Sequence, residues 1–190
     1  VNANQDYTDE ADVTPYLYFR FVDQSDPATQ KLMRDFIDTV VHLPQVSSKP
    51  ARFWLDHFHE FVNMTEGALE LPFHKQLDLF LDDPVMRYIH YGNIMRDDMG
   101  NVEVSRVGIG FDEVGYEVVN EEIAALHDSQ EATAEFEINQ GLESKDWPFF
   151  IYSSSFSGWE FYARCIYELT MSTFSGVFAV TFIGVFMIPH

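Results

Sequence analysis

The amino-acid sequence predicts an α+β fold of the split βαβ kind, followed by one long C-terminal helix. Segments with the alternation typical of strands are interspersed with segments whose apolar residues recur at helical spacing. The chain has 190 residues, of which 46% are hydrophobic and 16% aromatic, so it is large enough for one domain and an appendage. The run from Leu169 to Ile188 contains no charged residue, although the chain carries a formal net charge of −20.

The first two predicted elements are a strand and a helix. After a polar lead-in over 1–14, the aromatic run from Tyr16 to Val22 predicts a short strand. Asp26 and Pro27 form a typical N-cap and first-turn pair, and Pro44 ends the helix that follows. The apolar face of this helix comprises Leu32, Met33, Phe36, Ile37, Val40 and Val41.

The middle of the chain predicts two more amphipathic helices. The turn-rich segment from Gln45 to Pro50 has room for a very short strand. Arg52 to Val62 and Leu71 to Pro84 each place their large apolar residues on one helical face, and Val85 to Tyr91 continues less regularly.

The second half predicts three strands around a helix. A turn at 97–101 precedes an alternating strand from Val102 to Phe111, and two further strands are predicted at Thr133 to Ile138 and Phe149 to Tyr152. The helix between them has an apolar face made of Tyr116, Val119, Ile123 and Leu126. From Phe156 to Pro189 nothing breaks a helix.

This order of elements predicts a ferredoxin-like α+β domain at 15–155. A pre-membrane helix is expected at 156–168 and a transmembrane helix at 169–188.

The uncharged terminal run fits three structures to different degrees. A core helix rarely lacks charge for so long, and a strand of 20 residues is too long, whereas about 20 residues of helix match a bilayer core of ~30 Å. We therefore predict a membrane span, with aromatic residues in the headgroup layer before it. These residues are Trp159, Phe161, Tyr162 and Tyr167, and the small residues expected to face other helices are Ser172, Ser175, Gly176, Ala179 and Gly184.

The net charge, the cysteine count and the targeting signals limit the partners and the compartment expected for the domain. The acidic balance argues against nucleic acid as a partner, because phosphate binding needs clustered Lys and Arg. Cys165 is the single cysteine, so no internal disulfide is expected, and Asn63 begins a sequon that permits a glycan in a lumenal or extracellular segment. No signal peptide begins the sequence and no basic anchor follows the run, so we expect a fragment of a larger polytopic protein.

No motif in the chain predicts catalysis, a cofactor or a metal. His57 and His59 lie two residues apart on a predicted helix and therefore point to different faces, so they cannot chelate one ion. Ser153 lacks the glycines of a nucleophile elbow, and the acidic pair Asp97-Asp98 lacks an EF-hand pattern. The sequence thus predicts no enzyme.

The stretch FFIYSSSFSGWEFYARCIYELTMSTF resembles the segment before the eighth membrane helix in the Patched, Niemann–Pick type C and Dispatched family of resistance–nodulation–division type transporters. The runs ARFWLDHFHEFV, FHKQLDLFLDDP and GNVEVSRVGIGF resemble family segments in the same order. The positions that carry the terminal motif are Phe150, Tyr152, Ser153, Trp159, Glu160 and Tyr162. We expect Glu160 and Tyr162 to tie the strand at 150–153 to the start of the long helix. Arg164 and Glu168 lie four residues apart, with the spacing of a weak pair on one helical face.

The resemblance implies a fragment of a sterol-sensing-domain permease, comprising its second, porter-type lumenal domain and the following span. It implies sterol or another lipid as cargo, and the first lumenal domain and other helices of the same transporter as partners. It further implies an integral membrane protein of the plasma membrane or an endomembrane, with the body extracellular or lumenal. Two alternatives stay open: a single-pass membrane-anchored receptor or adhesion domain, and a soluble α+β regulatory domain whose last helix is part of the core.

Overall fold

The computed structural model describes residues 15–48, 52–111 and 119–186, and within them the fold is α+β. The strands of the described residues are β1 (Tyr16–Arg20), β2 (Val46–Ser48), β3 (Ile94–Arg96), β4 (Val102–Gly108), β5 (Gly110–Phe111) and β6 (Phe149–Tyr152). The α-helices are α1 (Pro27–Val41), α2 (Trp54–Met64), α3 (Phe73–Asp82), α4 (Pro84–His90), α5 (Val119–Glu135) and α6 (Ser155–Phe186). The predicted lead-in over 1–14 lies outside the described residues.

A four-stranded antiparallel sheet forms the centre of the domain, in the order β3-β4-β1-β6. Tyr16 on β1 lies opposite Gly108 on β4 and Tyr152 on β6. Since all neighbours are antiparallel, β1 and β3 run in the same direction with β4 between them. For the same reason β4 and β6 run in the same direction with β1 between them. Strands β2 and β5 pair as a separate two-stranded sheet.

The hydrophobic core lies on one face of the four-stranded sheet. Alternation along β1 turns Leu17 and Phe19 into the core, where both are fully buried. The ring of Phe19 lies 4.9 Å from that of Phe149 on β6 and 6.2 Å from that of Phe36 on α1. Burying each such side chain contributes about 1.5–3 kcal/mol to folding. Helices α1, α2 and α3 supply much of the remaining core, with Met33, Val40, Trp54, Leu55, Phe58, Leu77 and Phe80.

The start of α1 follows the predicted capping chemistry. The Asp26 carboxylate accepts a hydrogen bond from Thr29 N at 3.2 Å, and Pro27 occupies the first turn, where its missing N–H costs nothing. A second aspartate, Asp83, caps α4 in the same way, which separates α4 from α3 at the predicted proline. The predicted first strand, short β2, amphipathic helices and last strand are confirmed with slightly different ends.

The predicted strand at Thr133 to Ile138 is wrong. Helix α5 continues through Glu135, and a short 3₁₀ helix, Glu137–Asn139, follows it. Asn139 explains the geometry, because its buried amide donates to Thr133 O and to Phe149 O, each at 2.6 Å. The Asn139 side chain thus bonds backbone carbonyls that a neighbouring strand would have bonded in the sheet predicted from the alternation. Tyr116, which the apolar spacing assigns to this helix, lies outside the described residues.

Strand β3 was not predicted from the sequence. It has three residues, too few for a detectable period, and it pairs with β4 across a turn. Asp97 closes that turn by accepting hydrogen bonds from Met99 N at 2.9 Å and Asn101 N at 2.8 Å. Gly100 adopts a φ of 87°, which other residues disfavour.

Candidate functional site: helix α6 and the open face of the sheet

Helix α6 is one continuous helix of 32 residues, long and apolar enough to cross a membrane. At 1.5 Å per residue it is ~48 Å long, which exceeds a hydrocarbon core of ~30 Å. Its most apolar stretch has a mean hydropathy of 1.4, and none of that stretch is buried. Phe174, Phe178 and Val180 are each at least 70% exposed. Large apolar side chains therefore surround the distal helix without any protein cover among the described residues.

Four of the five hydroxyl groups between Leu169 and Val185 donate hydrogen bonds within the helix itself, and Ser172 is the exception. Three threonines donate to the carbonyl one turn earlier at 2.8 Å, and a serine donates to the carbonyl three residues earlier at 3.0 Å. These donors are Thr170, Thr173, Thr181 and Ser175. A helix that bonds most of its hydroxyl groups internally is compatible with a lipid environment, where an unpaired donor is costly.

The first turns of α6 are anchored to the domain. Ser153 is buried between β6 and α6, and its hydroxyl accepts a hydrogen bond from Ser155 N at 3.3 Å. Phe156 is also buried, and its ring lies 5.3 Å from that of Trp159. Trp159 in turn contacts Phe111 of β5, with the ring centroids 6.5 Å apart. The helix thus leaves the body from a packed aromatic joint and is exposed beyond it.

Two of the predicted motif positions do not take part in this joint. Glu160 accepts a hydrogen bond from Arg164 Nη2 at 2.7 Å, on an exposed surface of the same helix. Tyr162 is 45% exposed, and its ring lies 6.1 Å from that of Phe161. The expected tie from Glu160 and Tyr162 back to the last strand is therefore replaced by the contacts of Phe156 and Trp159. The Glu168 partner suggested for Arg164 by spacing is likewise replaced by Glu160.

The remaining motif positions lie on the open face of the sheet, opposite the core. Phe150 stacks on Tyr18 with the centroids 5.1 Å apart and the planes at 7°. Tyr152 meets the edge of Tyr18 at 6.4 Å. The Arg20 guanidinium lies 4.7 Å from the Phe150 centroid and 4.6 Å from that of Phe21. Tyr152, Tyr18, Phe150, Arg20 and Phe21 therefore form a continuous row of contacts across this face, which we call the aromatic row.

Phe21 marks the end of this aromatic row. It is 70% exposed and has a φ of 59°, a left-handed conformation that bulky residues seldom adopt. Arg20 is held beside it by hydrogen bonds to Trp147 O at 3.1 Å and Lys145 O at 2.7 Å.

A groove of about 730 Å³ opens beside the aromatic row, where β4 and β3 meet the end of α4. Two of its arginines, Arg87 and Arg106, have no carboxylate partner among the described residues. The Arg106 guanidinium lies 4.5 Å from the Tyr16 centroid, and its Nε is buried without a hydrogen-bond partner. A third arginine, Arg96, is instead neutralised by Asp78 at 2.8 Å.

A histidine pair lies inside the body. His90 is fully buried, its ring stacks 5.6 Å from that of Phe80, and its Nε2 lies 2.8 Å from His57 Nδ1. Burial, with smaller contributions from His57 and Arg52, lowers the pKa of His90 to about 4. His59 contacts Gln30 instead, at 2.9 Å, so His57 and His59 point to different partners. Within the described residues no three His, Cys, Asp or Glu side chains form a group that could hold a metal.

Asn63, the predicted glycosylation site, is exposed near the end of α2. The sequon residue Thr65 follows the helix in an extended conformation and donates its hydroxyl to Phe61 O at 2.8 Å. Cys165 is exposed on α6.

Sequence reasoning did not single out Arg87, Arg106 or His90. One signal for Arg106 was available, because alternation along β4 places it away from the buried Ser105 and Val107. An arginine at mid-strand is notable in a chain with only 11 basic residues. The partners of Arg87 and His90 are distant in sequence, so no local pattern indicated them.

No protein-family model matches the chain, and no curated protein matches it. The class of protein is therefore given by the geometry alone. It is an α+β domain with a small antiparallel sheet, joined to a helix that is long and apolar enough to cross a membrane.

Proposed function

We propose that α6 crosses a bilayer and that the chain is part of a Patched-type membrane permease, which moves sterol or another lipid. The observation that carries the proposal is the exposed apolar surface of α6, which continues for many turns beyond the packed joint at Trp159. Leaving each large apolar side chain in water forgoes about 1.5–3 kcal/mol, so the distal helix needs a nonpolar environment.

The sheet topology supports the finer fold assignment, a ferredoxin-like domain of the porter type. Strands β1 and β3 run in the same direction and are separated by β4, and strands β4 and β6 are similarly separated by β1. Two interleaved units of this kind make up a split βαβ domain. The helices α1 to α4 connect the first pair of strands, and α5 connects the second pair.

The positions of the motif residues support the resemblance to the Patched family. Phe150 and Tyr152 lie on the last strand, Ser153 lies at the helix start, and Trp159 packs against the body. The motif therefore coincides with the connection between the domain and the proposed span, where the family places it.

The body lies on the lumenal or extracellular side in this proposal. Its acidic charge disfavours contact with an anionic cytoplasmic leaflet, and the sequon residue Asn63 is exposed on the surface of the body. Phe19, Phe36, Phe58, Phe80 and Phe149 pack against one another in the core, so cargo would meet other surfaces. The proposed neighbours are the first lumenal domain and other helices of the same transporter.

Insertion of α6 is tested by placing a charge within it. Lys in place of Ala179, near the middle of the apolar stretch, should reduce insertion by about 2.5–3.5 kcal/mol on translocon scales. Ser157→Lys is the matched control, because Ser157 precedes the apolar stretch and is exposed at the joint. Equal insertion of both variants, or a monomer that stays soluble without detergent, would overturn the span.

Orientation and cargo need separate measurements. Glycan addition at Asn63 in microsomes, absent from Asn63→Gln, supports a lumenal body, whereas modification of the body by cytosolic reagents contradicts it. Photoactivatable sterol should label the chain in membranes and be displaced by unlabelled sterol. Sequencing the transcript on both sides of the known region tests the permease itself, because a permease requires several further spans.

A membrane-anchored receptor or adhesion domain is the second candidate. The open row of Tyr18, Phe150, Arg20 and Phe21 favours it, because exposed aromatic and arginine side chains are typical of binding surfaces. A single span in the full transcript, without sterol labelling, would select this candidate. The soluble regulatory domain requires a buried last helix, and the exposure of α6 argues against it.

A further inference from the structure

The groove beside the aromatic row concentrates positive charge in an acidic protein. The chain has 31 acidic and 11 basic residues, yet the groove is lined by Arg87, Arg96 and Arg106 and by one acidic side chain, Asp82. Asp78 neutralises Arg96 from outside the lining. Of the three arginines that line the groove, Arg87 and Arg106 have no carboxylate partner among the described residues.

Arg106 is held in position without an acceptor for its Nε. Its guanidinium packs over Tyr16 at 4.5 Å, and an added Cβ on Gly92 would lie 3.8 Å from its Nη2. The Nε is buried and makes no hydrogen bond. A guanidinium whose charge has no acceptor favours an anionic ligand, which would pair with the Nη donors because the Nε is enclosed by protein.

The rest of the groove is suited to an apolar or aromatic group. Tyr18, Ile94, Met95 and Val104 line it together with Tyr91, over which the Arg87 guanidinium lies at 5.7 Å. A volume of about 730 Å³ is within the range of small-molecule sites. The Asp82 carboxylate would repel a second negative charge on a ligand, so the groove favours a ligand with a single negative charge.

We propose that this groove binds a soluble organic acid, a carboxylate with an apolar or aromatic body. Arg106 and Arg87 receive the carboxylate, and the fork of donors on a guanidinium matches its two oxygens. Tyr18, Ile94 and Val104 contact the body of the ligand. The groove lies toward the β3–β4 edge of the sheet, whereas α6 continues from β6 at the opposite edge, which favours a ligand from solution over a lipid headgroup.

The proposal is tested by calorimetry on the full chain in phosphatidylcholine nanodiscs. The probe is 4-phenylbutyrate, with 4-phenylbutanol and 4-phenylbutylamine as neutral and cationic analogues of the same shape. We expect the acid to bind at least 10-fold more tightly than either analogue. Equal binding of the alcohol would overturn the proposal, because the arginines would then contribute nothing.

Charge-matched variants locate the site. Arg106→Gln should weaken 4-phenylbutyrate binding at least 10-fold, and Arg106→Lys should weaken it less. Arg34→Gln removes the same charge from an arginine that pairs with Asp56 between α1 and α2, and it should change affinity less than 2-fold. Equal weakening by Arg106→Gln and Arg34→Gln would indicate only general electrostatic attraction and would overturn the site.

A steric variant keeps the test informative if Arg106→Gln unfolds. Gly92 has an ordinary negative-φ backbone, and a side chain there reaches the Arg106 guanidinium. Gly92→Val should therefore weaken the binding of 4-phenylbutyrate at least 5-fold without unfolding the chain. Unchanged affinity would contradict the location. Inorganic phosphate should compete weakly, because it lacks the apolar body.

Two other occupants of the groove are outcomes that would overturn the proposal. Displacement of the probe when phosphatidylserine is added to the nanodiscs would identify a lipid headgroup as the ligand. A dimer in light scattering that Arg106→Gln dissociates, together with no probe binding, would identify a second copy of the chain.

Discussion

The aromatic residues of the body and those of α6 have similar chemistry and opposite surroundings. Phe19, Phe36 and Phe149 are fully buried under the helices, whereas Phe174 and Phe178 on α6 are 70% and 72% exposed. The body folds its own nonpolar environment around its rings. Helix α6 has none among the described residues, so its environment must come from outside the domain, which is why the membrane proposal rests on this helix.

The largest expected difference between the two regions is in folding stability. Phe19→Ala should lower the free energy of unfolding of the body by about 3–5 kcal/mol, because it leaves a cavity against Phe36 and Phe149. Phe174→Ala should leave it unchanged within about 0.5 kcal/mol, because that ring packs against nothing in the body. Denaturant unfolding followed by the fluorescence of buried Trp54 measures both, and a large loss for Phe174→Ala would mean that the distal helix folds back onto the domain.

Acid should destabilise the body through its buried histidine. Folding lowers the pKa of His90 from 6.5 to about 4, so the unfolded chain binds a proton in a pH range where the folded chain does not. The associated stability is present above pH 6.5 and is lost as the pH falls toward 4, by up to about 3 kcal/mol.

The control for this pH dependence is His90→Gln, whose stability should vary much less between pH 7 and 4.5. Burial also lowers the pKa of His59, so His59→Gln should flatten a smaller part of the profile. The pKa of Asp78 is lowered by its hydrogen bond from Arg96, so protonation of Asp78 changes the stability only below about pH 4. Identical profiles for the wild-type chain and His90→Gln would disprove the assignment.

The smallest predicted difference lies within α6 itself, at its junction with the body. Trp159→Ala should destabilise the domain by about 1–2 kcal/mol, because it removes the ring contacts with Phe111 and Phe156. Glu160→Ala should cost no more than about 0.5 kcal/mol, since it breaks only an exposed pair with Arg164. Thermal unfolding in a mild detergent distinguishes the two, and a greater loss for Glu160→Ala would restore the tie expected from the sequence motif.

Local patterns determined much of the architecture. The spacing of Met33, Phe36, Ile37 and Val40 determined the buried face of α1, and Asp26 with Pro27 determined where that helix begins. The absence of charge after Glu168 determined the apolar character of α6. These features depend on residues within one or two turns of each other, so the sequence alone carries them.

Only the tertiary structure decided the features that join distant segments. The alternation at Thr133 to Ile138 was overridden because Asn139 bonds both Thr133 and the last strand. The motif residue Glu160 turned outward because Phe156 and Trp159 occupy the packed side of α6. The groove with Arg87 and Arg106 exists only because α4, β3 and β4 meet beside the open face. Periodicity records which residues are apolar along one segment, whereas strand pairing and side-chain partners depend on contacts between segments far apart in the chain.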